Sequence, residues 1–327
     1  TNSKIIFLND ALKFKKMEIL SLKTNEGFIE ANTQSIDLPL LQEQTIIPAF
    51  AKDNESTISH IDFVENVYEA VSHVFPTESI SEPTVKVSHP IRGRVPEAKG
   101  KPAKELLEHE KTLYYERMAF MIEIPSIQAK IGDDRISLSV GGVRAYNLEN
   151  LYNKKSPEKF KIFIGFKNWV CTNLCVSTDG FLSDLRVSSL HDLMEKAVNL
   201  FQSFNIDREV QQMQQMQRTQ IDHEQFAHII GRAKQYLNLP KDLKATKENF
   251  PLGDSQLSQM IREYYQAGDE PTINLWDFYN LMTSANKSSY IDSHVDRVVE
   301  SFRFTQSLGN SLENQLPNWY THSIYNN

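Results

Sequence analysis

A regular alternation of side chains between Phe160 and Val170 constrains the fold more than any other stretch of the chain. Its even positions are apolar apart from one asparagine: Phe160, Ile162, Ile164, Phe166, Asn168 and Val170. Because successive side chains of a strand point to opposite faces, this pattern predicts a β-strand with its even positions on a core. The odd positions mix cations and rings, which predicts a solvated or ligand-covered face. They are Lys161, Phe163, Gly165, Lys167 and Trp169.

A second strand is predicted over residues 136–145, where apolar residues alternate with serines. Gly141 and Gly142 interrupt this pattern and predict a bulge or sharp bend. Val143 and Ala145 then resume the alternation on one face of the strand, with Arg144 and Tyr146 on the other face. Further strands are predicted over 84–90 and 113–124, the latter ended by Pro125, so residues 84–176 predict an antiparallel sheet of four or more strands.

Helical periodicity marks the rest of the chain. Residues 59–75 predict an amphipathic helix capped by Ser59 and Asp62, and a long helix after Ser189 presents an apolar stripe wide enough to cover one sheet face. More helices are predicted at 206–220, 222–237, 255–266, 273–284 and 289–304. The predicted class is α+β: an antiparallel sheet with a long helix packed on it, followed by an all-helical carboxy-terminal region.

Three regions follow from these elements. Residues 1–80 form an amino-terminal region with a linker at 31–56 and the amphipathic helix. Residues 81–205 form the sheet core with its covering helix, and residues 206–327 form the helical carboxy-terminal region.

Charge and cysteine content limit the function classes. The net charge of −7 among 327 residues argues against bulk non-specific nucleic-acid binding but permits a local basic patch. If the strand continues through Cys171 and Cys175, they lie about 13 Å apart, too far for a disulfide. Free thiols, and the lack of an apolar run of transmembrane length, predict a cytoplasmic protein without membrane contact.

A basic stretch lies inside this acidic chain. From Lys86 to Lys104 there are six Lys or Arg residues and one acid, and residues 91–104 hold two Gly and two Pro, which predicts a loop without regular structure. Cations on a flexible backbone can neutralise phosphates. The candidates are Arg92, Arg94, Lys99, Lys101 and Lys104. The alternative is a solvated surface loop.

The odd-numbered strand face is the second candidate site. Rings on a sheet stack unpaired bases, and lysines beside them follow the phosphate backbone. This hypothesis uses Lys161, Phe163, Lys167 and Trp169, with Arg144 and Tyr146 beside them. The alternative is that a helix covers this face and makes Phe163 and Trp169 part of a core.

Catalytic and metal-binding patterns are weak. His223 and His228 are five residues apart, about 140° around a helix, so the two imidazoles do not face one metal. Cys171 and Cys175 lack a second pair, and no sequence feature connects Cys171 to His191 for nucleophilic catalysis. The sequence predicts no cofactor and no metal, and favours a protein that is not an enzyme.

Several long strings, in order, resemble an uncharacterised Bacteroidetes domain-of-unknown-function family, DUF3871. They are VSHPIRGRVPEAKGKP, LLEHEKTLYYERMAFMIEIPSI, SVGGVRAYNLENLY, FIGFKNWVCTNLCVSTDG and LWDFYNLMTSANKSSYIDSHVDR. Within them, VCTNLC and NLMTSANK are similar to a broader family of phage- and plasmid-related proteins. The resemblance implies a mobile-element context and no established activity.

These observations favour a non-catalytic nucleic-acid-binding accessory protein of a mobile element, for single-strand binding or annealing of DNA or RNA. The alternative is a protein-interaction, assembly or inhibitor module, with a host or element-encoded partner or a second copy of the chain.

Overall fold

The computed structural model describes residues 27–44, 58–148, 157–266 and 272–321. Its strands are β1 Gln34–Ile36, β2 Thr84–Val87, β3 Pro90–Arg94, β4 Lys111–Tyr115, β5 Arg117–Ile131, β6 Asp134–Ala145, β7 Glu158–Asn168, β8 Leu174–Cys175, β9 Phe181–Val187, β10 Gln220–Asp222 and β11 Thr272–Asn274. Its α-helices are α1 Leu38–Gln44, α2 His60–Val74, α3 Leu190–Ser203, α4 Ile206–Arg218, α5 His223–Asn238, α6 Lys241–Lys244, α7 Asp254–Gln266, α8 Leu275–Asn286 and α9 Ile291–Asn314.

One antiparallel sheet organises these elements. Its strand order is β1-β2-β5-β6-β7-β8, and β9 also pairs with β7. Two smaller sheets lie outside it, the pair β3–β4 and the pair β10–β11. The predicted α+β class is therefore confirmed, with two three-residue strands inside the mainly helical carboxy-terminal region.

The even-numbered face of β7 lies on the core, as the alternation predicts. Its Phe and Ile side chains are fully buried and belong to one hydrophobic cluster with residues of α2, α3 and α4. Each such side chain contributes about 2–3 kcal/mol of burial free energy. The cluster continues into α5, α7, α8 and α9, so it includes residues from all three predicted regions. The division at 80/81 and 205/206 remains a prediction.

The opposite face is also covered. Phe163 is fully buried in a second cluster, where Val295, Val298 and Val299 of α9 lie over the sheet. The prediction of a solvated odd-numbered face is thus wrong at Phe163, and the alternative of a covering helix is right there. Two helical layers enclose the sheet, because both of its faces are apolar in this part.

Gly141 and Gly142 do not form the predicted bulge. They pair in register with Met121 and Phe120 of β5. A Cβ on Gly141 would lie 2.1 Å from the Phe120 carbonyl oxygen, and a Cβ on Gly142 would lie 2.4 Å from the ring of Phe63. Close packing on both faces therefore requires glycine here.

The irregularity lies instead in β5. Its register shifts between Ile124 and Gln128, around Pro125, and the strand continues to Ile131 rather than ending at the proline. A bulge tolerates proline because its residues are unpaired.

Most predicted helices are confirmed. Ser59 and Asp62 form a capping box at α2, and the Ser189 side chain accepts a hydrogen bond from the Asp192 N–H at the start of α3. The predicted 31–56 linker contains β1 and α1, and its residues 45–56 lie outside the described ranges.

Candidate nucleic-acid interface

The basic stretch is not the loop without regular structure that its Gly and Pro content predicts. Strands β3 and β4 pair from Pro90 opposite Tyr115 to Arg94 opposite Lys111, and form a two-stranded antiparallel ribbon outside the main sheet. Pro90 tolerates this position because it begins the strand, and Pro96 begins a 3₁₀ turn after it. We call residues 90–115 the ribbon arm.

One face of the ribbon arm carries cations. Arg92 lies opposite Leu113, and Arg94 lies opposite Lys111. Residues directly opposite each other in an antiparallel pair share a face, so these four side chains project together. Arg92, Lys111 and Leu113 are exposed, and Arg94 is half-buried. We call this the outward face.

The tip of the arm, residues 95–110, folds into three 3₁₀ turns. The Arg94 guanidinium donates to the Lys101 carbonyl oxygen, and the Lys101 ammonium donates to Glu110 at 2.7 Å. Lys104 is exposed at the tip, and Lys99 is half-buried. The five predicted cations of this stretch therefore lie on one arm, although Arg94 and Lys101 also hold the tip together.

Glutamates reduce the positive charge of the arm. Its six Lys or Arg residues face four Glu residues. Lys111 donates to Glu108 at 2.5 Å, which lowers the pKa of that carboxyl, and Arg92 lowers it further. The hydrogen bond from Lys101 likewise lowers the pKa of Glu110. The Glu108 side chain is exposed, so water and salt weaken its pairing with Lys111, whereas Glu110 is partly covered.

The arm is anchored at its base. The His60 Nε2–H donates to the Tyr115 carbonyl oxygen at 2.7 Å, and the rings of Tyr114 and Tyr146 lie 6.2 Å apart. Burial, followed by the charge of Arg144, lowers the pKa of His60 to about 3, so this imidazole is neutral near pH 7. These contacts fix where the ribbon leaves the body.

The inner residues of the predicted strand face do not form an open platform. Arg144 is fully buried and pairs with Glu158 at 2.5 Å, with its guanidinium 4.7 Å from the ring centre of Tyr146, which is also buried. The Lys161 ammonium donates to the Asp292 carbonyl oxygen at 2.6 Å and pairs with Asp296. With Phe163 enclosed by α9, no ring of this group is free to stack on a base.

Lys167 and Trp169 lie toward the other end of β7. Lys161 pairs in register with Val143, whereas Lys167 pairs with Ser137. Six residues of strand correspond to about 20 Å. Lys167 contacts Glu123 at 2.7 Å, and Trp169 Nε1 donates to Ser137 Oγ at 2.9 Å.

Trp169 keeps 39% of its surface exposed, under the guanidinium of Arg135 at 5.0 Å. Arg117, two residues after the arm, pairs with Ala145 of β6, and Val143 of the same strand pairs with Lys161 of β7. The arm therefore lies at the Lys161 end of the sheet. The structure therefore separates Lys167 and Trp169 from the basic arm, and the two do not line one groove.

Two of the resembling strings meet at the sheet. Lys287, of the NLMTSANK string, donates to the Cys171 carbonyl oxygen at 2.6 Å and to Thr172 Oγ1 at 2.9 Å. Thr172 has a φ of 56°, a strained value for a β-branched residue, and Asn173 donates to the Asn280 carbonyl oxygen at 2.9 Å. Through these hydrogen bonds the two strings attach the turn after β7 to α8 and the residue that follows it.

The same turn answers the cysteine prediction. Cys171 lies in a turn and Cys175 in β8, so the strand does not run through both, and both thiols are free. Burial raises the pKa of Cys171 to about 12, which disfavours the thiolate that nucleophilic catalysis needs.

No group of three or more His, Cys, Asp or Glu residues within the described ranges is arranged to hold a metal ion. His223 Nδ1 instead lies 2.5 Å from the Tyr264 hydroxyl. None of the helices in the described part of the chain combines the length and hydropathy needed to cross a bilayer.

Sequence reasoning missed Lys111 and Leu113. The alternation of Lys111, Leu113 and Tyr115 with Thr112 and Tyr114 is compatible with a strand. Its pairing with residues 90–94 was not predictable, because the 16 residues between the two strands are more than an ordinary hairpin loop contains.

No curated protein and no solved structure matches the chain at a significant level. One family model matches residues 16–320, and its description is "Domain of unknown function, B. Theta Gene description". Because the match spans nearly the whole chain, the protein belongs to this family, DUF3871.

Proposed function

We propose that the protein is a non-catalytic nucleic-acid-binding accessory factor that contacts its ligand through the ribbon arm. The observation that supports this most is the outward face, where Arg92, Arg94 and Lys111 project together from a ribbon that stands apart from an acidic body. Cations grouped in this way attract phosphates, whose binding releases condensed counterions.

The cellular setting is part of the same proposal. We extend the proposal to a mobile-element role, which rests on the resemblance read from VCTNLC and NLMTSANK in the sequence, and to a cytoplasmic location, which the two free thiols favour. The hypothesis of single-strand binding or annealing depends on the strand face, and the burial of Phe163 removes that support. The outward face alone carries the proposal, for DNA or RNA.

Fluorescence polarisation with labelled oligonucleotides tests the proposal at two salt concentrations. We expect binding at low salt that weakens at moderate salt, and a loss of at least tenfold in affinity for the double variant Arg92→Glu with Lys111→Glu. A matched control is Arg208→Glu with Lys234→Glu, since both are exposed cations in surface ion pairs, as Lys111 is. No binding at either salt, or equal losses in both double variants, would refute the proposal.

A second candidate function is supported by two exposed leucines on the same arm. Leu107 is 54% exposed and Leu113 is 47% exposed. Exposed apolar side chains mark a protein-binding surface when they form one patch, and these two leucines lie on the same arm. The partner would be a host protein, an element-encoded protein or a second copy of the chain.

This alternative is tested with Leu107→Asp and Leu113→Asp. A nuclease-treated pull-down that loses one defined partner with these variants, while the Arg92→Glu, Lys111→Glu variant binds nucleic acid normally, would favour it. Light scattering would show whether that partner is a second copy. A partner that disappears with nuclease alone would count against it.

A further inference from the structure

We infer that the ribbon arm binds the major groove of B-form duplex DNA, rather than a single strand or an RNA duplex. This inference rests on the proposed function and adds the class of nucleic acid. It follows from what the outward face contains, from the width of the ribbon and from the chemistry of its side chains.

The first argument is the absence of a stacking surface near the arm. Single-strand binding depends on rings that bases can stack on, each worth about 1–3 kcal/mol. The exposed part of the outward face consists of Arg92, Lys111 and Leu113 beside the half-buried Arg94, and the ring on the same face, Tyr115, is buried at the base of the arm. Of the nearby rings, Tyr146 is buried and Tyr114 is half-buried against it. A single strand would therefore meet charge at this face but no platform.

The second argument is size. Two paired strands lie about 4.8 Å apart, and with side chains such a ribbon is about 10 Å wide. The major groove of B-DNA is about 12 Å wide and admits a two-stranded ribbon, whereas the minor groove, at about 6 Å, does not. The major groove of an RNA duplex is too deep and narrow for side chains to read. Width therefore selects one groove of one kind of duplex.

The third argument is the pairing of residue types on the outward face. Arg92 is directly opposite Leu113, so a guanidinium and an apolar group project side by side. In the major groove, arginine donates two hydrogen bonds to guanine O6 and N7, and apolar groups contact the methyl group of thymine. Arg92 and Leu113 are thus placed to read neighbouring base pairs.

The remaining charges fit the same placement. Lys104 is exposed on the tip, where it can reach the phosphates that border the groove. Glu108 is exposed beside Lys111 and Arg92. Its carboxylate repels phosphate but can accept a hydrogen bond from cytosine N4, the one major-groove donor on a G·C pair. Glu108 therefore favours base contact at the groove floor over contact with the phosphate backbone alone.

Anisotropy titrations of the full chain test the inference. The ligands are one mixed-sequence 20-base-pair DNA duplex, each of its separate strands, and an RNA duplex of the same sequence, all at the same salt concentration. We expect the DNA duplex to bind at least tenfold more tightly than either strand or the RNA. With about three exposed cations engaged, its affinity should fall about 40-fold between 50 and 200 mM salt.

Groove placement has its own readout. Methylation of guanine N7 by dimethyl sulfate blocks the major groove and should weaken binding at least fivefold, whereas a drug that fills the minor groove should not displace the protein. Arg92→Lys keeps the charge but loses the paired hydrogen bonds. It should retain the salt dependence and reduce the sensitivity to N7 methylation, because a lysine ammonium can still donate to N7 but lacks the rigid paired geometry of the guanidinium.

The outcomes separate the inference from the proposed function. Equal or tighter binding of a single strand or of the RNA duplex would overturn the inference and leave nucleic-acid binding intact. Duplex binding that ignores N7 methylation and yields to the minor-groove drug would also overturn it. Failure to bind any of the four ligands would refute the proposed function itself.

Discussion

Replacing Arg144 by methionine is expected to destabilise the fold by about 3–5 kcal/mol, because it removes one member of a buried ion pair. The Arg144 guanidinium is fully buried, donates to Glu158 at 2.5 Å and to the Ile58 carbonyl oxygen, and lies 4.6 Å from the ring centre of Phe160. Methionine fills much of the same volume but removes the cation that pairs with the Glu158 carboxylate, whose side chain is only 10% exposed.

The paired replacement separates charge from packing. In Arg144→Met with Glu158→Leu, no buried charge remains, and such replacements are often neutral or stabilising. Glu158 also accepts from the Ile58 N–H at 3.2 Å, so both polar groups of the Ile58 backbone lose a partner in this variant. We expect a net loss of about 2 kcal/mol, which makes the double variant more stable than Arg144→Met alone.

Urea unfolding, followed by circular dichroism and tryptophan fluorescence, measures these differences. Arg186→Met is the matched control, because Arg186 pairs with Asp184 at 3.3 Å where both side chains are about half exposed. Such a pair contributes about 0–1 kcal/mol. An Arg144→Met variant within 1 kcal/mol of the parent protein, or a double variant less stable than the single one, would refute the reasoning.

Three further predictions follow from named contacts. Burial lowers the pKa of His294 from 6.5 to about 4, so as the pH falls the unfolded chain takes up this proton before the folded protein does. The contribution of His294 to the free energy of unfolding should therefore be complete above about pH 6.5 and decrease toward pH 4. His294→Gln should make the urea midpoint less dependent on pH in this range, and an unchanged slope would contradict the prediction. A Cβ on Gly165 would lie 2.3 Å from the Cys175 carbonyl oxygen, so Gly165→Ala should lower stability by about 1–3 kcal/mol in thermal melts. A Cβ on Gly231 of α5 would meet open space, so Gly231→Ala should raise stability by about 0.5–1 kcal/mol. Equal effects of the two substitutions would count against the packing argument. Glu108→Ala should weaken DNA binding about threefold in anisotropy titrations by removing the acceptor placed for cytosine N4, and tighter binding would show that this carboxylate only repels phosphate.

Local rules were enough to predict much of the fold. The alternation in β7 and the capping residues Ser59 and Ser189 act within a few residues, so periodicity and capping chemistry located these elements. The antiparallel sheet followed from several such strands with short connections.

What escaped prediction depends on contacts between distant residues. Phe163 is buried because α9, more than 120 residues later, lies on it, and nothing in the strand itself distinguishes a covered ring from an exposed one. Gly141 and Gly142 signal close packing rather than a bulge, because the atoms that exclude a Cβ come from other elements. Of the candidate site, five cations of the arm were predictable, but the ribbon that aligns Arg94 with Lys111 joins strands separated by 16 residues.

The order of synthesis matters for the helix that covers Phe163. When β7 leaves the ribosome, α9 has not yet emerged, so Met121, Val143 and Phe163 lack the helix that covers them in the folded protein. Exposed apolar surface of this kind is where aggregation begins and where chaperones bind. A chain that ends before Ile291 would therefore leave Phe163 and its neighbours uncovered and would be prone to aggregation.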